Sequence, residues 1–419
     1  MFEELQFSLL RMEEKIGDAF VKRDPKLAEA LLQKAPSRVL ERISRKRAAI
    51  VFEHTKNHTP AYKKFLKKHN FKETHSWEQI PSTDKKNYIK KYPLRERCLG
   101  GELPQDGEIY ESSGSSGKPT LWLQNKAEEE VLFSEMAFEY HYLFQSKPTI
   151  ILSTWVTGPW ITGNKFCEVG SHSALLKNTG GDMQNILDTL KDFGPKEHYM
   201  IVGYPPFIRQ LLLFLGKNLD IKKYKMDIGL GGEATSMQTY DYMRSLLPKN
   251  SLLVSSYGAS DLDIGVGFEN PFCHYIRRLA FNNAEFRQEL FGDDSTDLPM
   301  VFQYNPLLYY VEESQGTKKE LLFTQLNTEV AHPKIKYNLH DLGEKVTFEK
   351  VTSLLEKHDP KYKEKFKKSK QYRSILPLPF FFIRGRSDGM LTIGSANVYP
   401  HQLELCFMQG EVHQHIHHF

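Results

Sequence analysis

The sequence predicts an α/β fold with a helical lead-in, and three observations carry that prediction. From about residue 105 to 345, short β-rich runs alternate with segments of helical period, the pattern of a sheet covered by helices. Ahead of them, residues 1 to about 95 read as helical. The chain has 419 residues, 40% of them hydrophobic, which is enough for a large core and more than one domain.

In the lead-in, Leu5, Leu9, Met12 and Ile16 recur at helical spacing, and Leu27, Leu31, Val39, Leu40, Ile43 and Ile50 continue the pattern. Asp24-Pro25 reads as a capped helix start, and Thr59-Pro60 as a break before another short helix. The run KKFLKKHNFK (63–72) reads as a solvated basic face. Next come the β-rich runs TIILSTW (149–155), YMIVGY (199–204), MDIGLGGE (226–233), SLLVSSYG (251–258) and KKELLFTQL (318–326). Between them, 126–144 and 206–219 have helical period and length. The basic run within 351–375, KHDPKYKEKFKKSKQYR, reads as an inserted helix or mobile loop.

Several function classes are excluded. A net charge of +4 suits an anionic ligand but is too mild to argue for nucleic acid. No apolar run approaches the length of a membrane span, and MFEELQFSLLRMEEK carries acids where a signal peptide carries a basic start. Cys98, Cys167, Cys273 and Cys406 are scattered without a CxxC pair, so no disulfide framework or zinc knuckle is expected and the cytoplasm is the default compartment. There is no Ser-His-Asp set, no HExxH and no carboxylate pair at hydrolytic spacing. Cys273-His274 is adjacency only, and His413, His415, His417 and His418 read as a frayed terminus.

Five motifs carry the chemistry, each at or just beyond a strand end, where α/β sheets place ligands. SSGSSGKPT (112–120) offers backbone N–H groups, hydroxyls and one ammonium to a phosphate chain. It is not a P-loop, which needs Gly at 112 and Ser or Thr at 119, where this chain has Ser112 and Pro119. GGEATS (231–236) taken alone is a tight turn capped by Glu233 and Thr235. In SSYGASD (255–261), an aromatic followed by glycine and two polar groups suits a stacked adenine beside a metal-bound phosphate. YNLHDLG (337–343) and GRSDGML (385–391) complete the series.

In that order the motifs resemble the acyl-adenylate-forming enzymes, and within them the phenylacetate–CoA ligase-like branch. HTPAYKKFLKKH and SWEQIPSTDKKNYIKKYP look like its N-terminal lead-in. The resemblance implies a large multi-subdomain adenylate-forming N-terminal domain. Residues 1–95 would pack on the main domain of 96–384, with the basic insertion near 351–375. Residues 385–419 would form a hinge and a truncated stub of the C-terminal domain.

The implied reaction is ATP-dependent activation of a carboxylic acid to acyl-AMP, with Mg²⁺ as cofactor, followed by transfer to CoA or another acyl acceptor. Ser113, Ser115, Ser116, Gly117, Lys118 and Thr120 would bind the pyrophosphate end, Lys118 serving catalysis. Gly232 and Glu233 would border adenine and the acyl pocket. Tyr257 and Gly258 would meet the base, Ser260 would reach the α-phosphate, and Asp261 would hold Mg²⁺. The family more often has Glu at this last position, so contact through water stays open. Asp341 would accept the ribose hydroxyls, Arg386 would contact ribose and phosphate, and Asp388 would be the hinge. Asn338, His340 and Gly394-Ser395 depart from the commoner residues.

Trp155, Trp160, Tyr204 and Phe207 near the expected pocket suggest an aryl or apolar acid. No nucleic acid and no membrane span are expected among the partners, and a homodimer is allowed. A short C-terminal segment leads to the expectation that the chain makes acyl-AMP better than acyl-CoA. A second reading stays open, a nucleotide-binding module that has lost turnover.

Overall fold

The lead-in is built from α1 (Phe2–Arg23), α2 (Pro25–Leu32), α3 (Ser37–His58), α4 (Pro60–Lys68) and the single turn α5 (Leu94–Arg97). The computed structural model describes residues 2–112, 120–144, 149–158, 161–293, 295–369, 371–387, 391–393 and 396–398. As expected, Asp24 caps α2: its carboxylate accepts from the Leu27 N–H at 2.9 Å, and Pro25 occupies the first turn, where no N–H is required. Pro60 opens α4 in the same way.

The apolar stripe that marks these helices in the sequence faces outward. Leu5, Leu9, Met12 and Ile16 are 46–63% exposed, while Phe7 and Leu10 on another face of α1 are buried. Phe7 stacks on His54 of α3 with ring centroids 3.5 Å apart. Glu14 accepts from both the Thr328 N–H (3.0 Å) and the Thr328 hydroxyl (2.6 Å). Helical period reveals a helix; which stripe docks is decided by the partner surface, here apolar contacts reinforced by polar anchors.

After the hairpin β1 (Glu108–Ser112) and β2 (Thr120–Gln124) comes α6 (Lys126–Phe144). A reciprocal cap starts α6: Asn125 Oδ1 accepts from the Glu128 N–H, and Glu128 Oε2 accepts from the Asn125 N–H, both at 3.0 Å. The chain continues β3 (Ile150–Ser153), α7 (Ile161–Ser171), β4 (Leu175–Asn178), α8 (Met183–Phe193), β5 (His198–Gly203), α9 (Pro205–Asn218), β6 (Lys225–Gly231), α10 (Met237–Leu246), β7 (Leu253–Ala259) and β8 (Asp263–Phe268). Then follow α11 (Pro271–Asn282), α12 (Ala284–Phe291), β9 (Met300–Gln303), β10 (Tyr309–Glu313), β11 (Glu320–Gln325) and β12 (Tyr337–Val346). The last elements are α13 (Phe348–His358), α14 (Tyr362–Lys367), β13 (Phe380–Arg386), β14 (Leu391–Ile393) and β15 (Ala396–Val398).

Eleven strands form one sheet in the order β10-β11-β12-β13-β9-β8-β7-β6-β5-β3-β4. From β4 to β7 every pair is parallel; from β7 to β10 every pair is antiparallel. The central parallel strands β3 and β5 are buried at every residue because helices cover both sides, while β4 at the edge is largely exposed. The basic run at 351–375 is neither loose nor uniformly solvated. Val351 and Leu355 of α13, and Tyr362 and Phe366 of α14, are buried in one cluster with Phe272, Ile276 and Phe380, and the lysines between them point to solvent.

Candidate functional site

The carboxyl ends of β5, β6 and β7 open into a cavity of about 150 Å³, closed on the other sides by α6, α7 and β8. Leu132, Met136, Leu143, Phe144, Trp155 and Phe166 make most of its wall apolar. Glycines set the strand-end wall. A Cβ on Gly231 would come within 3.5 Å of both the Ser256 hydroxyl and the Trp155 ring, and Gly232 takes φ +86°, a left-handed conformation that suits glycine. Tyr204 lies beside Gly232. Of the aromatic residues named from sequence, Trp155 lines the cavity, Phe207 packs against the core under β5, and Trp160 lies outside the described residues.

The turn after β6 differs from the expected one. Glu233 is exposed, and the helix that follows is capped by the Ser236 hydroxyl, which accepts from the Thr239 N–H at 3.1 Å. Thr235 is buried, and its carbonyl accepts from Arg277 Nη2 at 2.7 Å.

The β7–β8 hairpin is tight at Gly258, where a Cβ would stand 2.7 Å from the Asp263 carbonyl oxygen. Lys165, wholly buried on α7, clamps it: Nζ lies 2.8 and 2.9 Å from the two Asp263 carboxylate oxygens and donates to Gln124 Oε1 at 2.6 Å. Ser260 sits half-buried at the hairpin tip.

Three residues from three separate motifs converge beyond this hairpin. The Tyr257 hydroxyl donates to Asp341 Oδ2 at 2.5 Å, and Arg386 Nη1 lies 3.7 Å from Asp341 Oδ1. Asp341 and Arg386 are paired in register across β12 and β13. Burial, and then the Asp341 carboxylate, push the Tyr257 phenol well above its ordinary value, so it stays a donor. The Tyr257 ring itself sits among Phe302, Phe323 and Phe381, with centroids 5.8, 5.9 and 5.3 Å away. One neighbour of this ring, which the resemblance implies would stack on the base, is thus Phe323.

Asp261, the expected metal ligand, is also committed. Its carboxylate is 8% exposed, lies 3.0 Å from Lys85 Nζ and accepts from the Tyr337 hydroxyl at 2.6 Å. An ammonium thus occupies the place where a cation was expected, and Asp261 as arranged does not offer Mg²⁺ an open carboxylate. Sequence reasoning missed Lys85 as a site residue, although it lies inside the lead-in segment SWEQIPSTDKKNYIKKYP. Lys85 and Lys334 flank the Trp122 ring, with Nζ 5.7 and 5.3 Å from its centroid. Burial pushes Lys334 down to about 8, against the pull of Glu128 and Asp261. Lys165 was missed too, and its signal is a single basic residue in a helix of mostly apolar and small residues.

Thr120 begins β2, half-buried. Ser113, Ser115, Ser116, Gly117, Lys118 and the hinge Asp388 lie outside the described residues, as do Gly394-Ser395 and the histidine tail.

The fold matches that of solved structures of 2-hydroxyisobutyryl-CoA ligase. In the postadenylation state, in complex with R3-HIB-AMP, that protein aligns with a TM-score of 0.63 at 13% identity, over 90% of this chain and 74% of that one. The fold is that of the acyl-adenylate-forming ligases. The same ligase in its thioesterification state, in complex with 2-HIB-AMP and CoA, gives a TM-score of 0.60 at 13% identity, over 90% of this chain and 74% of that one. Its open conformation, with the same two ligands, gives 0.58 at 13% identity over 89% and 80%. No protein-family model and no curated protein sequence matches the chain. Among the described residues, no helix is long and apolar enough to cross a membrane.

Proposed function

We propose that the protein activates a carboxylic acid with ATP, forming acyl-AMP and pyrophosphate, and passes the acyl group to CoA or another acceptor in the cytoplasm, in the manner of the phenylacetate–CoA ligase-like branch. The observation that carries this reading is the convergence of Tyr257, Asp341 and Arg386 beside a largely apolar cavity at the strand ends. A buried carboxylate next to an arginine suits a ribose that donates two hydroxyls and is followed by phosphate.

In the first step the acid's carboxylate oxygen attacks the α-phosphorus, and the bond to the bridging oxygen of pyrophosphate breaks. Both reactants are anionic, so positioning and charge compensation are the protein's task. Asp341 would fix the ribose and Arg386 would face the phosphate. Gly231 and Gly232 would leave room for adenine and the acyl chain, with Glu233 at the rim. Ser260 would reach the α-phosphate from the hairpin, and the segment containing Lys118 would hold the leaving pyrophosphate. Mg²⁺ would have to come with ATP, since Asp261 is taken by Lys85 and Tyr337. In the second step an acceptor thiol attacks the acyl carbon and AMP leaves.

The test is acid-dependent pyrophosphate release over a panel of aryl and fatty acids. Release that requires both ATP and one acid supports the reading. ATP binding without release for every acid would favour the nucleotide-binding module instead.

A further inference from the structure

The cavity described above is not uniformly apolar. Two carboxyl groups, Glu135 and Glu139, stand one turn apart on α6 and both line it. Glu135 accepts from Asn305 Nδ2 at 3.0 Å; Glu139 has no hydrogen bond or ion pair among the described residues. Two further lining residues, Ser255 and Tyr140, are 97% and 98% buried, and neither hydroxyl has a hydrogen-bond partner among the described residues. Buried hydroxyls are nearly always paired in native proteins, so an unpaired couple beside a carboxyl with no partner of its own marks a place where a ligand's polar group belongs.

A purely hydrocarbon acid would leave Glu139 and both hydroxyls unmatched, with only Glu135 held by Asn305. The acid's own carboxylate is a poor match, because it would face two other acids. It belongs instead near the strand-end glycines and Arg386, which leaves the far end of the ligand to meet α6. Burial holds both carboxyls well above the ordinary range, Glu135 at about 7 and Glu139 at about 8, the latter raised further by Glu135. A donated hydrogen bond offsets the cost of holding a buried carboxylate charged, and a cationic donor would also counter the repulsion that Glu135 exerts on Glu139.

Resting on the acid-activation reading, we propose that the preferred substrate is an acid whose end remote from the carboxylate carries a hydrogen-bond donor, a hydroxyl or an ammonium, received by Glu139 and Glu135 within otherwise apolar walls. This narrows the aryl or apolar expectation to an amphipathic acid.

Three benzoates that differ only in the para substituent test the proposal on the full chain: 4-methylbenzoate, 4-(hydroxymethyl)benzoate and 4-(aminomethyl)benzoate. Direct calorimetric binding without ATP is measured first, then ATP-dependent pyrophosphate release. At least one donor-bearing acid should bind tenfold or more tightly than the methyl acid. Glu139→Leu should abolish that advantage. Glu139→Gln, which keeps size and hydrogen bonding but not charge, should retain the hydroxymethyl preference and lose any aminomethyl preference, which tells the two donors apart. Thermal melts of both variants check the fold. The proposal is overturned if the methyl acid binds as well as both others, or if the ranking survives Glu139→Leu in a folded variant. Because binding is read without ATP, a failure of acyl-AMP formation is seen separately from a failure of the donor preference.

Discussion

Asp341→Asn separates the structural role of Asp341 as partner of Tyr257 and Arg386 from the ribose-binding role proposed for it. The carboxylate is 8% exposed, receives the Tyr257 hydroxyl at 2.5 Å and has Arg386 at 3.7 Å. An asparagine side chain keeps an acceptor oxygen for Tyr257, so the β12–β13 register should hold and stability should fall by no more than about 1 kcal/mol. What it loses is a charged acceptor for the ribose hydroxyls, about 1.5–3 kcal/mol for hydrogen bonds to a charged group. That corresponds to roughly 10- to 150-fold weaker ATP binding. Tyr257→Phe makes the reciprocal change. It removes a donor from a buried carboxylate, at a cost of about 1–3 kcal/mol of stability, yet leaves the charge for ribose, so ATP affinity should stay within about threefold. Calorimetric titration of ATP, together with urea unfolding of both variants, reads the two effects separately. Unchanged ATP affinity in a folded Asp341→Asn protein would refute the ribose assignment and leave Asp341 as a structural partner of Tyr257 and Arg386.

Gly258→Ala should lower stability by about 1–3 kcal/mol, since its Cβ would meet the Asp263 carbonyl at 2.7 Å and Ile264 Cα at 2.9 Å; an unchanged melting temperature would show that the hairpin relaxes freely. Lys85→Met should remove the ammonium from one Asp261 oxygen, leaving Tyr337 on the other, and make ATP binding more dependent on Mg²⁺ than in the unaltered protein, as titrations with and without the metal would reveal. Burial raises Glu14 from 4.5 to about 7, despite its two bonds from Thr328. Between those values the unfolded chain releases a proton that the folded chain keeps. This group's contribution is therefore present below pH 4.5 and is lost as pH rises to about 7, with a slope of up to about 1.4 kcal/mol per pH unit. Glu14→Gln should flatten the stability profile over that range, and an unaltered slope in urea unfolding would show that Glu14 titrates normally.

The sheet was legible in the sequence because its strands carry two redundant signals. TIILSTW, YMIVGY and SLLVSSYG are apolar runs of strand length, and each ends in small or polar residues that cannot continue a buried strand. At the candidate site, glycines were legible where close approach admits no larger side chain, as at Gly258, while Asp341 was marked only by its place in the motif order. The site's counter-charges were not. Lys85 and Lys165 reach Asp261 and Asp263 from segments 176 and 98 residues away in the chain, and a lysine's own sequence neighbourhood does not show which acid it will meet. The outward stripe of α1 was misleading for a related reason: period is a local property, whereas docking depends on Glu329, Thr328 and His54 arriving from elsewhere.

On the proposed reading, strand β7 lets one hairpin serve both reactants. It is the last parallel strand and the first with an antiparallel neighbour, so its two edges belong to differently built halves of the sheet. On the parallel side, Val254, Ser255 and Ser256 reach the cavity beside β6. Toward the antiparallel side, Tyr257 reaches Asp341 on β12. An acid in the cavity and a nucleotide on Asp341 would therefore be held by consecutive residues of one strand, each spanning only about 3.3 Å. That strand is fixed in turn by the close approach at Gly258 and by the Lys165 clamp on Asp263. Small errors in the hairpin would misplace both reactants together. Changes to the clamp, such as Lys165→Met, should accordingly depress turnover far more than they weaken binding of ATP or of acid measured singly, because only the reaction requires the two to be in register.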